Sequence, residues 1–209
     1  MPQVARRTEE NQLRRFGFVR IAGVDEVGRG CLAGPVAAGA VVLDPARHIP
    51  GLADSKLLTA ADRERLYDLI VRRAIAWAVA VADTTEIDTI NIHRASFLAM
   101  RRAIQGLLPL PDCVIVDGFR IPELLLPQRR IIGGDRRCAA IAAASIVAKV
   151  TRDRVMLTLH GHDPRYGFDR HKGYATAEHL AAVSKYSYSP VHRRSFRPPS
   201  LFDTMDESG

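Results

Sequence analysis

The sequence predicts an α/β fold: a mixed β-sheet flanked by helices, with a small helical appendage at the C-terminal end. Three observations predict it. Apolar runs of strand length come early as a pair and later alternate with helical segments, the order expected of a mixed sheet carrying helices on its faces. A run lined with alanines, Ala139 to Leu159, forms a helix whose small side chains allow close approach to a sheet. The chain has 209 residues and is 47% apolar, enough to build the core of one domain.

Taken in order, the first fifteen residues, MPQVARRTEENQLRR, are polar and read as a tail. Phe18 to Val24 reads as a strand and Val36 to Leu43 as a second, almost continuously apolar one. Ala76 to Ala82 makes a third. Between the second and third lies TAADRERLYDLIVRRA, in which Leu66, Ile70 and Ala74 recur at helical spacing after Thr59, an N-cap residue. Glu86 to Leu107 is helical, with Ile92, Phe97, Met100 and Ile104 on its apolar side. Cys113 to Val116 is a short buried strand ending at Asp117-Gly118, and Gln128 to Ile132 another ending at Gly133-Gly134-Asp135. The expected organisation is a tail over 1–15, a catalytic sheet domain over 16–160 and a basic, aromatic appendage over 161–209. From Gly161 to Arg197 there are seven Lys/Arg against three Asp/Glu, and six of the thirteen aromatics of the chain. A short amphipathic helix, TAEHLAAVSKY, lies within that stretch.

Composition narrows the function. Thirty basic and twenty-three acidic residues give a net charge of +7, which favours polyanionic partners. Cys31, Cys113 and Cys138 form no CxxC pair, so the sequence argues against a disulfide framework or zinc knuckle and for a reducing cytoplasm. No stretch approaches the roughly 20 apolar residues of a membrane span, and no membrane association is expected.

The stretch GVDEVGRGCLAGP carries the chemistry. Its glycines at 28, 30 and 34 are spaced GxGxxxG and lead into an apolar strand. A dinucleotide loop needs a helix there, because the helix N-terminus helps hold the pyrophosphate. A metal site is the better reading. Asp25, Glu26, Asp117 and Asp135 all follow predicted strands on one edge of the sheet, and hard divalent cations prefer oxygen ligands. For each acid alone the alternative is a solvated or capping turn residue; four on one edge weigh towards a metal site.

The residues also carry a family resemblance. DEVGRG at 25 to 30 resembles the DExGRG signature of ribonuclease HII, the type 2 ribonucleases H. The likeness continues through GP at 34 and 35, DSK at 54 to 56, VDG at 116 to 118, AAASIVAKVTRD at 142 to 153, HKGYATAEH at 171 to 179 and HRRSF at 192 to 196. It implies a ribonuclease H-like fold, with Asp25, Glu26, Asp117 and Asp135 as catalytic ligands of Mg2+ or Mn2+, two ions with substrate bound. It implies that Gly28, Arg29 and Gly30 contact a ribonucleotide 2′-hydroxyl, largely through backbone groups, and that Tyr174 packs on the sugar of the following deoxynucleotide. Arg29 has a structural alternative, pairing with an acidic neighbour. Where this family commonly has KGD, Gly133 stands in place of the lysine, so a nearby phosphate contact is either missing or supplied by Arg136 or Arg137.

The implied substrates are RNA/DNA hybrids and duplex DNA with embedded ribonucleotides. Cleavage on the 5′ side of the ribonucleotide would leave a 3′-hydroxyl and a 5′-phosphate. Lys56, His171, Lys172, His192 and Arg193 are expected to grip substrate electrostatically. Lys149, four residues from Ser145 on one helical face, either reaches a phosphate or is solvated. Asp153 is read as supporting its helix, and His160 and His162 as surface residues. A monomer is expected. No QxxLxxFF-like clamp-binding peptide is evident, and the terminal SLFDTMDESG is too weak a match. The competing functions are a junction resolvase of the same fold, which the GRG loop argues against, and a non-catalytic hybrid binder, which four retained carboxylates argue against.

Overall fold

Residues 4–196 are described in a computed structural model of the chain. Its strands are β1 (Ile21–Val27), β2 (Val36–Leu43), β3 (Ala74–Ala82), β4 (Cys113–Asp117) and β5 (Gln128–Ile131). They form one sheet in the order β3-β2-β1-β4-β5. β1 pairs antiparallel with β2 and parallel with β4; β2–β3 is antiparallel and β4–β5 parallel. The helices are α1 (Thr8–Arg15), α2 (Ala60–Arg73), α3 (Thr84–Gln105), α4 (Gly134–Arg137), α5 (Ala139–His162), α6 (Phe168–His171) and α7 (Ala177–Tyr186).

Successive side chains of a strand point to opposite faces, and β1 divides accordingly. Ile21 joins the core cluster that contains the alanines of α5, while Ala22 and Val24 join the cluster that contains Ala95, Ala99 and Ala103 of α3. With helices on both sides, β2 is buried at all eight positions, which explains its unbroken apolar run. The alanines of α5 matter for the reason expected. A Cβ at Gly23 would collide with the Ala140 carbonyl, and one at Gly39 with the Ala144 carbonyl, so helix backbone lies directly on strand backbone.

Thr59 caps α2 as predicted, accepting from Asp62 N at 3.1 Å. Other features depart from expectation. β1 starts at Ile21, because the amides of Val19 and Arg20 are taken by the Asp112 carboxylate at 3.0 Å. It runs on through Val27, so both acids lie in the strand itself. Part of the expected polar tail is helix α1. Its Glu10 is buried and accepts from Ala140 N at 2.7 Å, a carboxylate at the N-terminus of α5. Asn91 (φ 66°, ψ 163°) interrupts α3, and its side chain caps the amides of His93 and Arg94 at 3.0 and 3.2 Å. The C-terminal segment seats Tyr166, Phe168, Ala182 and Val183 against Met156 of α5 and Ala33. The terminal SLFDTMDESG lies outside the described residues.

Two glycine substitutions separate packing from propensity. Gly39→Ala should destabilise the fold by about 1–3 kcal/mol or more, since helix backbone must move to admit the methyl group. Gly161→Ala, in α5 with nothing within 4 Å of the new Cβ, should stabilise it by roughly 0.5–1 kcal/mol. Urea denaturation of both variants checks the pair, and equal effects would contradict the direct strand–helix contact.

Candidate active site

Parallel pairing brings the carboxylates together. Val24 lies opposite Val116, so the next residues, Asp25 within β1 and Asp117 at the end of β4, come side by side. Asp117 in turn lies opposite Ile131, and the chain then turns through Gly133 (φ 64°) to Asp135 in α4. The left-handed conformation at Gly133 favours glycine at this position. Carboxyl ends of parallel strands are where open α/β sheets place their sites.

Asp25 and Asp135 are buried, at 7% and 5% exposure, while Glu26 and Asp117 are half-buried. Asp25 accepts from Glu26 N at 2.9 Å and is also bonded by the Ser145 hydroxyl, which lies 2.9 Å from Ser55 Oγ. Asp117 accepts from Gly134 N at 2.9 Å. Lys56 Nζ stands 3.6 Å from Asp135 Oδ2. Burial, then repulsion from Glu26 and Asp117, holds the Asp25 carboxyl well above the ordinary aspartate range. Burial, then Asp117 and Asp54, raises Asp135 as well. Excess negative charge is therefore concentrated at this edge.

Among the described residues, no three His, Cys, Asp or Glu side chains already stand as a metal-holding group. In chemistry the donors fit a hard cation nonetheless: all are carboxylate oxygens, two are buried, and a lysine ammonium already approaches one of them. An open cleft of about 180 Å³ runs past Asp25, Glu26 and Asp117. Its other wall is formed by Arg29, Lys56, His93, Ser96, Phe97, Met100 and Phe119.

The glycine loop beside the acids is held from below by two buried guanidinium groups. Arg193 donates to the carbonyls of Gly28, Arg29 and Gly34 at 2.6, 2.8 and 2.9 Å. Arg152 donates to those of Pro35, Lys172 and Ala33 at 2.9, 2.9 and 3.2 Å. A Cβ at Gly28, where φ is +88°, would collide with the Arg152 side chain, whereas one at Gly30 would meet nothing within 4 Å. Gly28 is glycine for the protein's own packing, and Gly30 faces open space. Arg29 pairs with Glu26 Oε1 at 3.1 Å and approaches His93 Nε2 at 3.5 Å.

Several residues expected to grip substrate are placed otherwise. His171, His192 and Arg193, expected to grip a phosphate backbone, are buried, at 8%, 1% and 0% exposure, and bonded within the chain. Their positive or polar ends face carbonyl groups and ring nitrogens of this chain. Lys172 adopts a left-handed conformation (φ 50°) and bonds the Asp169 carbonyl. Lys149 pairs with Asp153 at 2.8 Å, and its Nζ lies 5.8 Å from the Tyr174 ring centroid. Tyr174 is 40% exposed. His160 pairs with Asp169 at 3.1 Å, and Arg136 with Asp54 at 3.2 Å.

Sequence reasoning missed Arg152, Asp54, His93 and Phe119. An arginine inside a stretch of alanine, valine and isoleucine was the available signal for Arg152. Asp54 lay within the quoted DSK motif, and its carboxylate receives Lys56 N at 2.9 Å. His93 and Phe119 carried no signal, because only the folded cleft brings them together, ring centroids 5.9 Å apart.

A mixed five-stranded sheet with helices on both faces, and four carboxylates gathered on β1, at the end of β4 and in α4 just after β5, defines the class of nucleases with the ribonuclease H-like fold. Comparison with known proteins narrows the class. The family model described as Ribonuclease HII matches residues 22–198. A ribonuclease HII of Cupriavidus necator is 57% identical over 182 residues, covering 86% of this chain and 76% of its own. A ribonuclease HII of Burkholderia vietnamiensis is 51% identical over 201 residues, covering 94% and 93%. The crystal structure of ribonuclease H2 from Pyrococcus horikoshii superposes with a TM-score of 0.74 at 24% identity, covering 86% of this chain and 94% of that one. The chain belongs to the ribonuclease HII family, metal-dependent hydrolases with ribonuclease H activity.

Carboxylates held together against their repulsion should cost the metal-free protein stability. Because the folded state binds protons at Asp25 and Asp135 that the unfolded chain releases, stability falls as pH rises above the ordinary aspartate value of 3.8. Asp25→Asn keeps the side chain's shape and an oxygen to accept from the Glu26 amide, and removes one charge. At pH 8 without divalent ions it should therefore raise Tm by ~2–4 °C, equivalent to roughly 1 kcal/mol. It should also abolish most of the Tm gain that Mg2+ gives the wild type. A variant that melts lower than wild type and keeps that gain would exclude a metal role for Asp25.

Proposed function

We propose that this chain is an endonuclease that hydrolyses the phosphodiester on the 5′ side of a ribonucleotide, in RNA/DNA hybrids and at single ribonucleotides embedded in duplex DNA. The products would be a 3′-hydroxyl and a 5′-phosphate, and the cellular task removal of ribonucleotides from DNA. The observation that carries this reading is the junction of two features: an acidic sheet edge, and a loop whose Gly30 leaves open space beside it.

Asp25, Glu26, Asp117 and Asp135 would hold two divalent ions, Mg2+ or Mn2+, which supply an activated water near neutral pH and charge stabilisation for the departing oxygen. Three parts of the chain do the rest. Ser145 and the Glu26 amide orient the Asp25 carboxylate, and the Gly134 amide orients that of Asp117. Arg193 and Arg152 keep the Gly28-Arg29-Gly30 backbone fixed, so that main-chain groups can approach a 2′-hydroxyl, the group that distinguishes RNA from DNA. Arg29, paired with Glu26, keeps the loop in register with the acidic edge.

Tyr174 would offer its half-exposed ring to the deoxyribose that follows the ribonucleotide. A flat apolar face suits a sugar without a 2′-hydroxyl, because a buried hydroxyl there would lose water without gaining a partner. Lys56 and Lys149, at the edge of the same cleft and beside that ring, are the cations proposed to meet phosphates. All of these groups come from one chain, and a monomer is the proposed working unit.

The test is cleavage of duplex DNA carrying one ribonucleotide, with Mg2+ and with chelator. Cleavage 5′ of the ribonucleotide only with Mg2+ supports the reading. So would its loss by more than about 1000-fold in Asp25→Asn, Glu26→Gln, Asp117→Asn and Asp135→Asn, with double variants no worse than single ones. Equal cleavage of an all-DNA duplex or junction would overturn it.

A further inference from the structure

The C-terminal segment buries three histidines that no step above uses. His171 and His179 stack with ring centroids 4.4 Å apart and planes 16° apart, and His179 Nε2 lies 3.1 Å from His192 Nε2. Their partners determine where each proton sits, since each nitrogen of a neutral imidazole either donates or accepts. Gly173 N donates to His171 Nδ1 at 3.2 Å, so His171 carries its proton on Nε2 and donates to the Tyr166 carbonyl at 2.7 Å. Ser189 N donates to His192 Nδ1 at 3.0 Å, so the His192 proton is on Nε2. His179 must use Nδ1–H to reach the Tyr174 carbonyl at 2.9 Å, which leaves its Nε2 bare to accept from His192.

Every ring nitrogen has a partner, His192 Nδ1 meeting both the amide and the hydroxyl of Ser189, and the pattern closes only with all three rings neutral. A second proton on His179 would set its Nε2–H against that of His192 across 3.1 Å, and one on His192 would set Nδ1–H against the Ser189 amide across 3.0 Å. Burial keeps them neutral: it lowers all three, His192 to about 4. The charged groups facing them have mixed sign. Glu178 faces His171 and His179, Asp163 and Arg194 face His192, and Asp169 and Arg170 face His171.

The network ends on one residue. His171 fixes the amide of Gly173, and His179 fixes the carbonyl of Tyr174, on either side of the ring proposed to meet the sugar. On its other edge the same segment bonds the glycine loop, with Leu32 N donating to the Gly173 carbonyl at 2.8 Å and Cys31 bridging to Tyr174. Tyr174 thus has its backbone held between the histidine rings and the loop while its ring stays exposed.

We propose that His179, backed by His192, is a positioning residue for the ribonuclease reaction, holding Tyr174 by its carbonyl so that the ring presents one fixed face to the substrate sugar. The proposal rests on the reading that Tyr174 contacts substrate, and its test separates the two. His179→Phe keeps ring volume and stacking but removes both nitrogens; His179→Asn restores a donor near the Tyr174 carbonyl.

The expected result is about a tenfold loss of kcat/KM in His179→Phe on a duplex with one ribonucleotide, the effect of one lost well-placed hydrogen bond. The loss on a uniform RNA/DNA hybrid should be smaller. His179→Asn should recover most of it, and His179→Phe combined with Tyr174→Ala should be no worse than Tyr174→Ala alone. If Tyr174→Ala is impaired while His179→Phe is normal, or if their losses multiply, the positioning role is overturned and the Tyr174 reading stands. If Tyr174→Ala cleaves both substrates like wild type, the substrate reading fails and the positioning role fails with it. Nitrogen NMR at neutral pH gives a readout independent of activity: Nδ1–H on His179 and Nε2–H on His192 are required, and the reverse tautomers would refute the network.

Discussion

Two buried guanidinium groups hold the working end of this fold. Burying a cation without a carboxylate partner costs several kcal/mol of desolvation, recovered only when its donors are satisfied. Arg152 and Arg193 meet that condition with carbonyls alone, three each, all belonging to the glycine loop, the turn after it and Lys172. Burial lowers Arg193 to about 10, which leaves it charged at neutral pH. Arginine suits this task because its planar fork reaches several acceptors in fixed directions, which a lysine ammonium does not. The carbonyls gain as much as the arginines. A loop of this shape has no ladder partners for them, and an unpaired buried carbonyl would cost free energy comparable to a lost hydrogen bond.

That constraint orders what lies above it. The loop follows directly from the strand bearing Asp25 and Glu26, so fixing Gly28 and Arg29 also fixes the acids relative to the loop. The C-terminal segment is bound into the same arrangement from the other side, because Arg152 also holds the Lys172 carbonyl and Arg193 belongs to that segment. The acidic edge, the glycine loop and the segment bearing Tyr174 are thus held at fixed separations by one network of carbonyls. The glycines divide accordingly. Gly23 and Gly39 admit helix backbone, Gly28 admits Arg152, and Gly34 admits Met156. Gly30 is excluded from this list, since nothing in the protein lies where its side chain would be.

Much of this was legible in the sequence. Local period and strand-end punctuation located all five strands, the long helices and the Thr59 cap. The clustering of the four acids was legible because carboxylates near the carboxyl ends of parallel neighbours share an edge, as β1, β4 and β5 do. What was not legible depended on contacts distant in sequence. Nothing in MPQVARRTEENQLRR marks Glu10 as a partner for the start of α5, because the amide it meets is 130 residues away. His171, His192 and Arg193 read as solvent-facing cations until the carbonyls and ring nitrogens around them are known. Their burial follows from partners, and residue type alone pointed the other way. Asn91 had the chemistry of a cap, but its place inside an otherwise regular helical run concealed the break.

The central claim is that Gly30 is glycine for the substrate's sake and not for the fold. Gly30→Val tests it most directly, with melting and cleavage measured on the same preparation. The account predicts a Tm change equivalent to less than about 0.5 kcal/mol, as for a surface substitution. It also predicts a loss of roughly 100-fold or more in kcat/KM on duplex DNA with one ribonucleotide, since displacing a bound sugar by an ångström costs that much. A Gly30→Val protein that melts normally and cleaves with wild-type kcat/KM would contradict it.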